Sequence, residues 1–315
     1  MLRLVGLPLG VVLAHAARLS TRGAGVALVY HRVGDPPGDP RRELVPALGS
    51  PLFARQVRHL ATHCEIVAAA ELLPTLRRRR RGARLPVAIT FDDDLASHVD
   101  VSAPILVELG ATATFFVSGA SLARPFRFWW ERLQAAVDDE RDLAGLGLRV
   151  GRHSRAIHAV GLRIQNLPPH ERDDVAAKLG ELVGADPDDS GLRAETLERL
   201  ARGDVEIGFH TRRHDSLPLL DDAQLVEAMR AGRDEIEGCV GQQLRTISYP
   251  HGAADARVAA AARGAGFEYG FTGVPEPVTV DADPLLLGRV SPSYYSAGEL
   301  MFDVGWTLFR GAFAR

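Results

Sequence analysis

The chain has 315 residues and an ordinary globular composition, 46% hydrophobic and 24% charged, with a formal net charge of −3. A chain of this length forms one large α/β domain or two smaller ones. Its charge provides no global basic field of the kind that attracts nucleic acid, so we predict no nucleic-acid partner.

The first 25 residues allow two interpretations. Residues 4–13 are a short apolar run, and Ala14-His15-Ala16 resembles a signal-peptidase site, which would mark an exported protein. The charge before this run is weak and Arg18 follows soon after it, so we favour an amphipathic first helix and a cytoplasmic location. The run is too short to span a bilayer and no other segment has about 18 consecutive apolar residues, so we predict no transmembrane span.

Two smaller features bear on compartment and partners. Cys64 and Cys239 are too few for a disulfide scaffold, and we expect both to be small core residues in a reducing compartment. The one basic block is a run of arginines at residues 77–81. Such a run is predicted to be a solvated loop, with an anionic surface or polymer as the alternative partner.

From residue 26 onward, short apolar runs alternate with helical patterns, which indicates an α/β fold with a largely parallel sheet. Strands are predicted at residues 26–30, 86–91, 113–117, 205–209, 244–249, 267–272 and 285–290. Helices are predicted at residues 51–64, 96–109, 222–239 and 255–265. Residues 121–203 interrupt this rhythm, and because they are too long for an ordinary connection we predict a mostly helical insertion on the rim.

Polar residues stand at the carboxyl ends of several predicted strands. They are His31, the triplet Asp92-Asp93-Asp94, His210 and His251. Because these ends face one common mouth in parallel α/β folds, residues far apart in sequence are expected to converge there.

Two of these clusters have the chemistry of a metal site. Three adjacent carboxylates repel one another unless a cation or proton is supplied, and a helix N-cap would explain only one of them. His210 and His214 are four residues apart, so both can point to one side of a helical turn, and neutral imidazole is a good zinc ligand. With one aspartate they would give three ligands and an open position for water, as in a catalytic site.

Three motifs resemble the polysaccharide deacetylase family, also called NodB-homology carbohydrate esterases. The family pattern is Thr-Phe-Asp-Asp, then His-Ser/Thr-x-x-His, then a Pro-x-Gly turn. This sequence has Thr90-Phe91-Asp92-Asp93, His210-Thr211-Arg212-Arg213-His214 and Tyr249-Pro250-His251-Gly252, in that order. The resemblance covers residues 26–290, with residues 121–203 as an insertion.

The resemblance implies a distorted, incomplete (β/α) barrel of about seven strands, here a domain at 26–315 after an N-terminal segment at 1–25. It also implies a divalent metal, commonly zinc, bound by Asp93, His210 and His214, with Asp92 as the general base. A backbone N–H near His251 would help to hold the oxyanion. We therefore predict a hydrolase that removes an N-acetyl group from an amino sugar in a polysaccharide or glycan precursor.

Three positions depart from the family pattern. Asp94 stands where the family usually has Gly, and adds a charge beside the predicted ligands. Ser248 stands where many members have Arg, and Arg245 is three residues out of step, which on a strand turns it to the other face. No histidine follows His251, where many members have the leaving-group acid, and Arg289 in that region cannot act as an acid at neutral pH.

The leaving amine must therefore obtain its proton elsewhere. We slightly favour His251, because it follows a strand end and Pro250 fixes its approach; His31 and water are the alternatives. The substrate contacts predicted are His31, Trp129, Trp130 and Tyr249, the tryptophans by stacking unless one is a core anchor. Two other functions stay open: hydrolysis of another non-peptide C–N bond, and metal or saccharide binding without turnover.

Overall fold

The computed structural model describes residues 2–151 and 155–313. Its centre is a sheet of short strands that are all parallel to their neighbours. The strands are β1 (Val26–Tyr30), β2 (Glu65–Val67), β3 (Pro86–Asp92), β4 (Thr114–Val117), β5 (Glu206–Phe209), β6 (Thr246–Ser248), β7 (Tyr269–Phe271) and β8 (Arg289–Val290).

Seven strands follow one path in the order β7-β6-β5-β4-β3-β1-β8, and β2 pairs with the first half of β3. The path forms a nearly closed barrel with one seam, where a single bridge joins Phe271 to Leu287. The predicted distorted, incomplete (β/α) barrel of about seven strands is confirmed. Every residue of β1 and β3 is buried, as expected for parallel strands that helices cover.

Helices surround the barrel and occupy the connections between its strands. They are α1 (Leu2–Arg18), α2 (Ser50–His63), α3 (Ala69–Arg78), α4 (Ala103–Glu108), α5 (Trp129–Asp138), α6 (Ala156–Gln165), α7 (Pro169–Val183), α8 (Ala194–Ala201), α9 (Asp222–Ala228), α10 (Arg233–Val240), α11 (Ala256–Gly264) and α12 (Ala297–Phe313). None of the helices described is long and apolar enough to cross a membrane.

Two of the predicted helices differ from those in the structure. The single helix expected at 222–239 is two helices, because Gly232 adopts a left-handed φ of 79° between α9 and α10. The predicted helix at 96–109 contains a π-helical turn, His98–Ser102, before α4. Cys64 and Cys239 are free thiols; Cys64 is buried as predicted, whereas Cys239 is only half-buried.

The segment between β4 and β5 has its own hydrophobic cluster, formed mainly by α5, α6 and α7, with Leu133, Ile164 and Leu179 at its centre. α8 differs from these helices, because Leu197 and Leu200 pack in the main core beneath the sheet. The part of this segment that stands apart from the barrel is therefore α5 to α7, which lies over the mouth.

Glu131 on α5 joins this cluster to the loop after β1. Its carboxylate accepts hydrogen bonds from the Phe128 backbone N–H at 3.2 Å and from Arg32 at 3.4 Å. Burial disfavours the charged carboxylate more than these partners favour it, and raises the pKa of Glu131 to about 7. The folded state thus binds the proton more tightly than the unfolded chain, so its stability falls as the pH rises from about 4.5 to about 7.

We expect Glu131→Gln to change this pH dependence, because the amide oxygen keeps the hydrogen bond to Phe128 without a charge. One pKa unit corresponds to about 1.4 kcal/mol, and allowing for partial exposure the variant should gain roughly 2 kcal/mol over wild type between pH 5 and pH 8. Urea unfolding at the two pH values measures the gain. The exposed Glu108→Gln is the control, and an equal difference at both pH values would contradict the assignment.

Candidate metal and catalytic site

The carboxyl ends of β1, β3, β5 and β6 meet at one mouth of the barrel, and the side chain of Arg289 reaches this mouth from β8. Asp92 is the last residue of β3, and His210 directly follows β5. His31 directly follows β1, and Arg289 begins β8. The structure therefore brings together residues that are up to 258 positions apart, from 31 to 289, as the predicted strand ends require.

Asp93, His210 and His214 form a compact buried cluster. The Asp93 Oδ1 atom is 3.5 Å from His210 Nε2 and 3.3 Å from His214 Nε2. The two Nε2 atoms are 3.1 Å apart. Among the described residues, these three form the group of ligand-type side chains close enough to hold one metal ion. The ligand set predicted from the sequence is thus assembled in space.

The polar atoms of this cluster are arranged for a cation. His210 Nδ1 lies 2.8 Å from the Ser248 carbonyl oxygen, which can only accept, so Nδ1 carries the proton. In neutral His210 the Nε2 lone pair is therefore directed at Asp93 Oδ1, a buried atom that accepts no hydrogen bond from the described residues. Two electron-rich atoms that face each other in a buried site require a cation or a proton between them.

The backbone of this cluster is strained. Asp93, Thr211, His214 and His251 all have positive φ angles, between 49° and 74°, although none is glycine. Such conformations cost about 1–3 kcal/mol each and are typical of functional sites. The turns after β3, β5 and β6 are thus held in shapes that direct these side chains into the mouth.

Asp92 lies beside the cluster and is held by a different set of partners. Arg289 NH1 and NH2 donate to Asp92 Oδ1 and Oδ2, each at 2.7 Å, and the Ser248 hydroxyl donates to Oδ2 at 3.0 Å. The remaining donors of Arg289 bind Thr90 Oγ1 and the Thr272 carbonyl. Burial opposes ionisation of Asp92, but Arg289 and His210 more than offset it and lower its pKa to about 2.

Asp94 does not add its charge to the ligands. Its carboxylate is turned towards the end of β4, where it accepts hydrogen bonds from the backbone N–H and hydroxyl groups of Ser118 and Ser121 at 2.7–3.4 Å. Four donors replace the water that this buried carboxylate loses. The departure from the family's glycine is therefore accommodated as a structural cap.

The insertion forms the wall of the site. A cavity of about 600 Å³ opens above Asp92 and Asp93, within the size range of small-ligand sites. Its insertion side is lined by residues of α5 and α6: Trp129, Trp130, His158, Gly161, Leu162 and Gln165. The buried Arg172 of α7 forms an ion pair with Asp215, the residue after His214, and so fastens the insertion to the histidine loop.

The two tryptophans have different environments. Trp130 stacks on Phe128 with 4.4 Å between ring centroids, and lies 4.4 Å from the His214 ring. Trp130 therefore packs against His214, a predicted metal ligand, and also lines the cavity. Trp129 also lines the cavity, and its buried indole N–H has no partner among the described residues. Sugar stacking by either remains a prediction.

Three further predicted residues occupy distinct positions. His31 is half-buried and lines the cavity, as does His251, whose ring centroid is 4.5 Å from that of His214. Tyr249 is fully buried, and its hydroxyl donates to the Leu285 carbonyl at 2.9 Å, away from the cavity. The substrate contact predicted for the Tyr249 side chain is not supported, because its one hydroxyl is used inside the core.

Sequence reasoning did not assign the partner of Asp92. The family pattern identifies Arg289 only as a residue that cannot be the acid, and Ser248 only as a position where many members have Arg. A buried arginine at the start of an apolar strand is an unusual placement, and this was the available signal. Arg245, by contrast, pairs with Glu268 on the exposed side, as its strand position predicted.

Comparison with known proteins is consistent with this geometry. A comparison with curated protein sequences gives no match. The structure is similar to the Streptococcus pyogenes deacetylase PplD, solved in complex with acetate, at 16% identity and a TM-score of 0.62, over 90% of this chain and 99% of that one. It is also similar to IcaB from Ammonifex degensii at 19% identity and a TM-score of 0.58, over 90% and 97% of the two chains.

At such identities these structures support the fold alone. The family evidence is independent: the sequence model described as polysaccharide deacetylase matches residues 79–270, more than half of the chain. This match includes all three predicted metal ligands and Asp92, and confirms the resemblance drawn from the motifs. The chain therefore belongs to the polysaccharide deacetylase family of hydrolases.

Proposed function

We propose that this protein is a metal-dependent N-deacetylase, which hydrolyses the acetamido group of an amino sugar in a polysaccharide or glycan precursor. The observation that carries the proposal is the pairing of two units in one cavity. One is the ligand-type cluster of Asp93, His210 and His214, and the other is an ionised carboxylate, Asp92, held next to it.

The ligand cluster fits a divalent metal, zinc being the first choice. Two imidazoles and one carboxylate give three protein ligands, and this number leaves a position for water or substrate. The Ser248 carbonyl fixes the His210 tautomer, as partners of metal-bound histidines commonly do. A metal bound there would polarise the acyl carbonyl and acidify the attacking water.

Asp92 has the properties required of the base. A carboxylate has about four acceptor positions, and Arg289 and Ser248 use three of them. One position on Oδ1 therefore stays free to accept a proton from water in the cavity. Since the pKa of Asp92 is lowered to about 2, the carboxylate is ionised at any working pH, and Arg289 fixes its orientation.

For the leaving amine we propose His31 as the proton donor. Burial and the neighbouring His214 hold the pKa of His251 well below its usual range, so His251 is uncharged and has no readily donated proton. His31 lines the same cavity from the end of β1 and is half-exposed, so its ring is accessible to solvent and to a substrate in the cavity. This reverses the order of preference that the sequence alone suggested.

Mutations should distinguish the metal ligands from the general base. His210→Ala and His214→Ala should lose the bound ion, whereas Asp92→Asn should keep it and lose turnover, because a base and not a ligand is removed. Elemental analysis of purified protein, with zinc titration, measures the ion. His158→Ala, which alters the same cavity wall, is the control. Unchanged metal content in both ligand variants would rule out this site.

The role of Arg289 is tested by its effect on stability. Arg289→Met leaves Asp92 buried without its cation, and we expect a loss of about 3–5 kcal/mol in the free energy of unfolding. The double variant Asp92→Asn/Arg289→Met should recover most of that loss, because no charge is then left unpaired. Denaturant unfolding measures each variant.

Two further substitutions complete this set. Arg289→Lys keeps the charge without the two-point contact, and should fold but turn over slowly. Arg245→Met breaks an exposed pair with Glu268 and should cost under about 1 kcal/mol. If Arg289→Met were as stable as Arg245→Met, the pair with Asp92 would not be the anchor of the site.

Acetate release from N-acetylglucosamine oligomers tests the function itself. Wild type with metal should release acetate, Asp92→Asn should not, and His31→Ala should lose roughly 10²- to 10⁴-fold in kcat, the usual value of a general acid. His251→Ala should lose less. Retained activity in His31→Ala with a large loss in His251→Ala would reverse this assignment. Hydrolysis of cyclic amides without acetate release, or metal binding without turnover, would favour the two alternative functions.

A further inference from the structure

The first and last helices of the described chain form a tightly packed parallel pair. Glycines lie at their contact line: a Cβ atom on Gly10 would overlap the Met301 carbonyl, and one on Gly305 would overlap the Gly10 carbonyl. The two helices also end together, because the Ser20 hydroxyl donates to the Ala312 carbonyl at 2.8 Å. They thus form one continuous ridge on the side of the barrel.

The outer face of this ridge exposes several large apolar side chains, together with the polar His15, Asp303 and Arg310. On α1 and just beyond it, Leu9, Val12 and Leu19 are 43–62% exposed, and on α12, Trp306 and Phe313 are 48% and 51% exposed. Together they are five of the eleven large hydrophobic side chains that are exposed in the described residues. The Trp306, Phe309 and Phe313 rings follow one another along α12, with centroid distances of 6.3 and 4.8 Å.

The arginine run at residues 77–81 lies at the end of the same ridge. Arg79 donates to the carbonyls of Arg18 and Ser20, and Arg81 donates to the carbonyl of Leu19. Within the run, Arg78 has an ion pair with a carboxylate, Glu71, whereas Arg77, Arg79 and Arg81 donate to backbone carbonyls. Their positive charges are therefore not neutralised by these contacts.

We propose that this terminal-helix surface, which comprises the exposed apolar residues of α1 and α12 and the arginine run, docks in the plane of an anionic lipid bilayer. A helix pair with Trp and Phe on its outer face beside basic residues has the chemistry of an interfacial membrane anchor. No described helix is long enough to span, so the surface lies on the membrane. This proposal does not rest on the deacetylase function.

Other occupants fit less well. A symmetric contact between two copies would pair apolar residues with apolar residues, but it would not by itself neutralise the arginine run, because the same patch meets itself. A nucleic acid or anionic polymer would satisfy the arginines but leave the aromatic residues in water. An anionic bilayer satisfies both, because the headgroups meet the arginines and the interface accepts the aromatic rings.

The docking geometry leaves the catalytic mouth accessible. The arginine run precedes Pro86, the first residue of β3, and Asp92 is the last. At about 3.3 Å per residue, these ends of β3 are roughly 20 Å apart. The arginine run and the cavity are therefore at opposite ends of the barrel, and a polymer or lipid-linked glycan can enter at the end away from the arginines.

The test is sedimentation of the full chain with vesicles of phosphatidylcholine alone or with about one-third phosphatidylglycerol. We expect the protein to bind the anionic vesicles, and salt to weaken this binding. We also expect a blue shift in the fluorescence emission of Trp306, because Trp129 and Trp130 are already buried. Trp306→Ser/Phe313→Ser and Arg80→Ser/Arg81→Ser should each reduce the bound fraction roughly tenfold.

Matched control variants distinguish binding through this surface from non-specific adsorption to vesicles. Val107→Ser/Val226→Ser removes exposed apolar side chains elsewhere, and Arg141→Ser/Arg202→Ser removes exposed arginines elsewhere; both should bind like wild type. Equal binding by all variants, or none to anionic vesicles at low salt, would overturn the proposal. Two other results would also overturn it: a dimer that dissociates in the variant Trp306→Ser/Phe313→Ser, or binding to heparin without binding to vesicles.

Discussion

Three adjacent buried carboxylates at the end of β3 are the constraint on which the rest of the site depends. Asp92, Asp93 and Asp94 are each at most 5% exposed, so each needs a partner that replaces water. Each of the three carboxylates has different partners. Arg289 and Ser248 hold Asp92, the two histidines face Asp93, and the hydroxyl and amide groups of Ser118 and Ser121 hold Asp94. In the proposed mechanism, this one triplet therefore supplies a base, a metal ligand and a structural cap.

These partners also explain why the barrel must close. Arg289 is contributed by β8, which is next to β1, and reaches Asp92 on β3 one strand further along. His210 is contributed by β5 on the other side. The ionised state of Asp92 therefore requires that both arms of the sheet curve towards each other around β3. The contacts of Asp92 with Arg289 and His210 therefore join elements from both sides of β3.

The local parts of this arrangement were predictable from sequence, and the long-range parts were not. Apolar runs located β1 and β3 to within one residue, and motif spacing grouped Asp93 with His210 and His214. The pairing of Arg289 with Asp92 joins residues 197 positions apart, and depends on β8 lying beside β1, which no local pattern encodes. Asp94 was misjudged for the same reason, since its donors are on a different strand connection.

Asp92 obtains its cation from Arg289, although Ser248 stands where many members of the family have Arg. A buried carboxylate stays ionised when a cation or hydrogen-bond donors stabilise its charge, and these can come from any strand whose side chains reach it. Ser248 is too short and uncharged to serve alone, so it contributes one hydrogen bond and its carbonyl fixes His210. Arg289 supplies the positive charge from β8, on the other side of β3 from β6. The absence of the motif arginine at Ser248 therefore does not leave Asp92 without a positively charged partner.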